Sequence, residues 1–217
     1  MPHGIRAFIF DLDGTLLNSL EDIADAANAA LVAHGYATWP LEDYRHFVGN
    51  GLETLMRRSA PHDASDEAIA SLLRAMKDNY AAGWRNKTHP YEGIPQMLTK
   101  LLEMRFPLAV LSNKAHCFTA IIVQHFFPAI PFVRVQGKPD GEKGKPDPAL
   151  ALAIASDMGV LPERTAFVGD SGVDMDTATA AGMLSMGVLW GLRSKDEMLR
   201  HGARLLLQYP LEIINYV

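Results

Sequence analysis

An apolar run, Ile5 to Phe10, stops abruptly at Asp11-Leu12-Asp13-Gly14-Thr15. Such a run is the pattern of a strand buried on both faces, and the polar, Gly-containing segment after it reads as a loop. Similar runs recur at Pro107 to Leu111, Phe132 to Val135, Thr165 to Val168, Ser185 to Leu189 and Arg204 to Leu207. Helical periods lie between them, carried by Ile94, Met97, Leu98, Leu101 and Leu102, by Phe118, Ile121, Ile122 and His125, and by Leu150, Ile154 and Met158. Strand alternating with helix predicts an α/β fold with a parallel sheet covered on both faces. Its functional groups then belong at the carboxyl ends of the strands.

From about Ser19 to Lys87 the rhythm breaks. Leu20, Ile23, Ala24, Ala27 and Leu31 make one helical stripe, and Ile69, Leu72, Leu73, Met76 and Tyr80 make another, with no strand pattern between them. We therefore expect a Rossmann-like core from residues 1–18 and 88–217, with an all-helical domain from residues 19–87 inserted after the first strand. His89 to Gly93 reads as the returning hinge.

Charge narrows the range of functions. With 20 Lys+Arg against 25 Asp+Glu among 217 residues, the net charge is −5, and the basic residues occur singly or as the pair Arg57 and Arg58. No nucleic-acid footprint is present, so no nucleic acid is expected as partner. The single cysteine, Cys117, flanked by Phe118 and Ile121, suggests a buried thiol in a reducing compartment, the cytoplasm. Asp11 and Asp13 interrupt the opening segment too early for a leader peptide, and the longest uncharged stretch, Ala115 to Val133, holds two histidines and two prolines. A soluble chain without a membrane partner is expected.

Four segments carry chemistry. In extended backbone, Asp11 and Asp13 project the same way, and two anions so close call for a cation; oxygen-only ligands point to Mg²⁺. Ser112, Asn113 and Lys114 follow a strand, where a helix start would offer a hydroxyl and backbone N–H groups to an anion. Lys145 sits between Gly144 and Pro146 before the next helix. Asp170 and Asp174, spaced i and i+4, are expected on one helix face after Val168. Each segment alone has an ordinary reading: a polar turn, an N-cap, a solvated lysine, an acidic first helical turn. All four following strands of one parallel sheet is not ordinary, because they then converge on one edge.

The ordered set Asp-x-Asp-Gly-Thr, Ser-Asn, Lys-Pro and Gly-Asp-Ser-x-x-Asp resembles the haloacid dehalogenase superfamily over essentially the whole chain. The resemblance implies Asp11 as nucleophile forming an aspartyl-phosphate, and Asp13 as acid toward the leaving alcohol and then base toward water. It also implies Ser112 and Asn113, with Thr15, as phosphate or substrate contacts, and Lys145 as the charge-offsetting cation. Mg²⁺ would be held by Asp11, Asp170 and the carbonyl of Asp13, with Asp174 orienting a metal-bound water. An acid at Asp13 argues against carbon–halogen cleavage. The helical insertion then looks like this superfamily's cap domain. Within it Arg45 and the turn Gly49, Asn50, Gly51 resemble the substrate-facing loop of phosphoglycolate phosphatases, which implies a small phosphorylated metabolite. Trp190, Gly191 and Arg193 match that subfamily too, with Trp190 expected in packing.

Departures from the pattern are Glu92, where proline usually precedes Gly93, and Gly172 with Val173 in place of a polar pair. Asp176 reads as helix surface, and His34, His46 and His125 as surface or packing residues. Two alternatives stay open at this point: a phosphosugar mutase of the same superfamily, and a signalling domain phosphorylated on Asp11. Monomer and homodimer are both compatible with the chain.

Overall fold

The computed structural model describes residues 4–217. Packing divides the chain into two units, one helical, Asn18–His89, and one taking the chain up to Leu17 and from Pro90 onward. The second is an α/β unit. Its sheet is built from β1 (Ala7–Phe10), β4 (Leu108–Ala115), β5 (Arg134–Lys138), β6 (Thr165–Gly169), β7 (Leu184–Val188) and β8 (Leu205–Leu207). The short strands β2 (Leu17–Asn18) and β3 (His89–Pro90), where the chain leaves and returns, pair as a separate two-stranded ribbon.

The six strands lie in the order β5-β4-β1-β6-β7-β8, and every neighbouring pair is parallel. β1 is internal, and all four of its residues, Ala7, Phe8, Ile9 and Phe10, are fully buried, which explains a continuous apolar run without alternation. On one face Ile9 and Phe167 meet Ala151, Ile154 and Ala178 from α7 (Ala149–Asp157) and α8 (Gly172–Ala180). On the other face, Phe8 meets the ring of Phe106 edge-on at 5.5 Å, just after α5 (Ile94–Glu103). From β1 the chain crosses to β4 and β5 on one side, then back to β6, β7 and β8 on the other. In α/β sheets a reversal of this kind, here beside β1 between β4 and β6, marks the carboxyl-end position where ligands bind.

Two sequence expectations need correction here. α6 (His116–Phe126) turns Phe118, Thr119, Ile122 and Val123 inward, so Cys117 falls on the outer side and is exposed, as is Ile121. Apolar neighbours in sequence do not bury a residue that the helical phase points outward. Second, β4 does not end at Leu111. It shifts register after Leu111 and runs on to Ala115, so Ser112, Asn113 and Lys114 belong to the strand, and Ser112 caps no helix.

The helical unit consists of α1 (Leu20–Ala33), α2 (Leu41–Phe47), α3 (Leu52–Ser59) and α4 (Asp66–Gly83). α1 and α4 pack through the two stripes legible in the sequence, with Ile23, Ala27, Leu31, Leu72, Met76 and Tyr80 all buried. Asp22, also buried, accepts from the backbone N–H groups of Lys87 and Thr88 and from Thr88 Oγ1 at 2.7 Å, tying the start of the unit to its end. Among the described residues, no helix is long and apolar enough to cross a membrane.

Candidate active site

Asp11 follows β1 directly, its backbone N–H still bonded to Val168 O of β6 at 2.9 Å, so the sheet pairing extends to this residue. Lys145 Nζ lies 2.7 Å from Asp11 Oδ1 and 2.6 Å from Asp174 Oδ1, a cation bridging two carboxylates. The loop that presents this lysine is anchored by Asn113, whose Nδ2 donates to Lys145 O at 3.0 Å. The Lys145 side chain is only 2% exposed. Burial works against its charge, but Asp11 and Asp174 outweigh that and hold its pKa above the ordinary lysine value.

Asp174 is held as firmly on its other oxygen. Oδ2 accepts from Ser171 N at 3.0 Å and Ser171 Oγ at 2.6 Å, a capping box that starts α8. Asp170 precedes that helix rather than lying on it, so the expected i, i+4 helix face is corrected to a turn residue beside a helical one. Thr15 Oγ1 lies 3.4 Å from Asp170 Oδ1, so this threonine faces a carboxylate, and Leu192 N donates to Asp170 Oδ2 at 2.7 Å.

Asp11, Asp170 and Asp174 offer carboxylate oxygens within 4.8 Å of one another, all buried. Among the described residues, the ion pair that opposes this cluster is that of Lys145 with Asp11 and Asp174, one cation against three carboxyl groups. Burial first, and the neighbouring carboxylates with it, push Asp11 up to about 7 and Asp170 up to about 8, against an ordinary 3.8; Lys145 pulls both back down. A hard divalent cation would remove that penalty, and an all-oxygen donor set suits Mg²⁺.

Asp13 lies outside this triad. Both its oxygens accept from Lys114 Nζ, at 2.9 and 2.7 Å. Nothing in the sequence reading gave Lys114 a role. Its one signal was position, directly after Ser112 and Asn113, and its partner lies 101 residues away. Ser112 Oγ accepts from Lys114 N at 3.3 Å, folding the hydroxyl back along its own strand. Trp190, expected only to pack, donates Nε1–H to Thr15 O at 3.0 Å and so braces the turn after Asp13.

Arg45, Gly49, Asn50 and Gly51 all belong to the helical unit, whereas Asp11, Lys145, Asp170 and Asp174 belong to the α/β unit. Arg45 pairs with Glu42 at 2.9 Å on an exposed face. The Gly49 to Gly51 turn is possible because both glycines take positive φ, 114° and 90°. Arg58, which the sequence reading passed over, holds that turn: it donates to His46 O at 3.0 Å, Phe47 O at 3.2 Å and Asn50 Oδ1 at 3.1 Å.

An α/β sheet whose strand ends gather Asp11, Lys145, Asp170 and Asp174 defines a hydrolase of the haloacid dehalogenase-like family, and the family's model matches residues 8–188, so the chain belongs to it. It is 35% identical over 185 residues to a phosphoglycolate phosphatase of Nitrosospira multiformis, covering 83% of this chain and 82% of that protein. To a phosphoglycolate phosphatase of Pseudomonas putida it is 33% identical over 190 residues, covering 86% of this chain and 70% of that one. A solved structure from Lactobacillus delbrueckii subsp. bulgaricus superposes with a TM-score of 0.91 at 27% identity, covering 97% of both chains. The chain is thus phosphoglycolate phosphatase-like, a phosphoric monoester hydrolase.

Proposed function

We propose that this protein hydrolyses 2-phosphoglycolate through an aspartyl-phosphate formed on Asp11. The observation that carries the proposal is the Asp11 carboxylate at the end of the central strand, paired with the buried Lys145 at 2.7 Å inside a carboxylate cluster. That is the setting for a nucleophile meeting a phosphoryl group, since Lys145 offsets charge that would otherwise repel an anionic substrate. The names of the relatives from Nitrosospira multiformis and Pseudomonas putida support phosphoglycolate as the substrate.

In this reading an Asp11 oxygen bonds to phosphorus as the ester oxygen departs and takes a proton from Asp13. Water then bonds to phosphorus and gives its proton to Asp13. The bond to Asp11 breaks and phosphate leaves. Ser112 and the backbone of Asn113 hold phosphoryl oxygens, and Lys145 neutralises charge between nucleophile and substrate. Asp11, Asp170 and the Asp13 carbonyl would hold Mg²⁺, with Asp174 orienting a metal-bound water, and the ion would supply further charge neutralisation to the site. The helical unit serves as the cap that selects the leaving group, with Arg45 and the Gly49, Asn50, Gly51 turn toward the substrate carboxylate. A small metabolite of this kind fits a cytoplasmic enzyme.

Phosphate release measured with Mg²⁺ over phosphoglycolate, sugar phosphates, nucleoside monophosphates and pyridoxal phosphate tests this. The highest kcat/KM belongs to phosphoglycolate. A strong preference for another substrate, or an isomerised sugar phosphate appearing without free phosphate, overturns the assignment.

A further inference from the structure

We propose that Lys114 is a positioning residue for Asp13, fixing its carboxylate for the step in which water attacks phosphorylated Asp11. The proposal rests on the reading of Asp13 as the proton donor and acceptor of the reaction.

The placement follows from the sheet. β1 and β4 run parallel with Phe10 opposite Val110, and β4 continues to Ala115, so Lys114 and Asp13 leave the same end of adjacent strands. The lysine side chain is 2% exposed and the aspartate 12%. Burying an ammonium is costly unless its N–H groups are satisfied, and here Asp13 contributes two acceptors at 2.9 and 2.7 Å. The nucleophile does not need this lysine, because Lys145 already supplies the cation at Asp11.

One ammonium bonded to both oxygens restrains the plane of the carboxylate against rotation about its last side-chain bond. Orientation of this kind is worth much in a proton transfer, whose rate depends on alignment. Lysine has donors only, so both Asp13 oxygens are acceptors in this arrangement. Accepting a proton is what Asp13 does in the second half-reaction. There the water oxygen bonds to phosphorus, a water proton moves to Asp13, and the phosphorus bond to Asp11 breaks, leaving phosphate and a free Asp11 carboxylate. The first half-reaction instead draws a proton from Asp13, a task for which an all-acceptor geometry is not arranged. Losing Lys114 therefore falls on the water step.

The test is rapid-quench kinetics on 4-nitrophenyl phosphate, whose leaving group departs without an acid. Lys114→Met releases about one equivalent of nitrophenol per enzyme in a fast phase, with phosphate recoverable on the quenched protein. Its steady rate then drops about 100-fold. Lys114→Arg, which keeps a cation able to reach both oxygens, recovers part of the steady rate. Loss of both phases together in a variant that remains folded, or an unchanged steady rate, overturns the proposal. Should Lys114→Met not fold, Lys114→Gln is read in the same way. Asp13→Asn separates the two readings. If its steady rate is undiminished, the role of Asp13 itself is wrong; if it is slowed while the Lys114 variants are not, only the role of Lys114 fails.

Discussion

Leu192 donates its backbone N–H to Asp170 Oδ2 at 2.7 Å, from a loop that follows β7 and closes directly on the carboxylate cluster. The contact depends on the residue before it. A Cβ on Gly191 would run into Asp170 Cβ and come within 2.7 Å of Asp170 Oδ2, and it would also strike the carbonyl oxygen of Gly14. Close approach of two backbone segments to one carboxylate thus sets the direction of Asp170.

Gly191→Ala should therefore loosen the proposed metal site without replacing any of its proposed ligands. Groups that orient a ligand from outside the coordination shell change metal affinity by about 10–100-fold when altered. We expect Mn²⁺, used as a spectroscopic substitute and followed by the loss of its free paramagnetic signal, to bind Gly191→Ala weaker by about that factor. The same variant should recover most of its kcat at saturating Mg²⁺. Unchanged Mn²⁺ affinity would show that the loop does not orient Asp170.

Asp11→Asn should reduce turnover by at least about 10³-fold, since an amide of nearly the same shape cannot attack phosphorus. The melting temperature in chelator should stay the same or rise, because a buried charge has been removed from a crowded carboxylate cluster. Turnover near the wild-type rate in a sample shown by mass to be free of deamidation would move the nucleophile elsewhere.

The carboxylate cluster also gives stability a pH dependence. Asp11 and Asp170 are pushed up to about 7 and about 8 in the folded protein, from 3.8. A carboxyl whose folded pKa is raised binds its proton more tightly when folded, so stability declines as pH climbs from about 4 to about 8 and levels off above that. In chelator, the melting temperature of Asp170→Asn relative to wild type should rise from pH 5 to pH 8. Mg²⁺ should raise the wild-type melting temperature more at pH 8 than at pH 5, where protons compete for the same oxygens. A constant difference between variant and wild type across that range would contradict the raised pKa of Asp170.

Much of this arrangement is visible in the chain itself, and what is hidden has specific causes. The strand runs are legible because a strand covered on both faces must be apolar throughout, as Ala7 to Phe10 shows. Asp11, Lys145, Asp170 and Asp174 are legible because each follows a strand and bears a group with evident chemistry. Leu192 is not, since what it offers is a backbone N–H, which no side chain advertises. Lys114 is hidden for a different reason: its role appears only when β4 lies beside β1 and extends past Leu111, which is a matter of register. Arg58 is hidden because its targets are mostly carbonyl oxygens in a turn about a dozen residues earlier, and an exposed arginine beside Arg57 looks like solvated surface.

That arginine separates two ways in which the helical unit could recognise a substrate carboxylate. Arg58 holds the Gly49 to Gly51 turn through His46 O, Phe47 O and Asn50 Oδ1, whereas Arg45 is engaged by Glu42 at 2.9 Å in an exposed pair of the kind that adds little stability. If Arg45 contacts the carboxylate of phosphoglycolate directly, Arg45→Ala should raise KM for that substrate by about 10-fold or more, the scale of a lost charge-assisted hydrogen bond. Hydrolysis of 4-nitrophenyl phosphate, which has no carboxylate, should be unchanged. Arg58→Ala should instead lose the shape of the turn, raising KM for phosphoglycolate and also lowering the melting temperature. Glu42→Ala, which releases Arg45 from its partner, should leave KM for phosphoglycolate the same or lower it. Equal losses by Arg45→Ala on the two substrates would mean that this residue supports the fold of the helical unit, and carboxylate recognition would then rest on the turn held by Arg58.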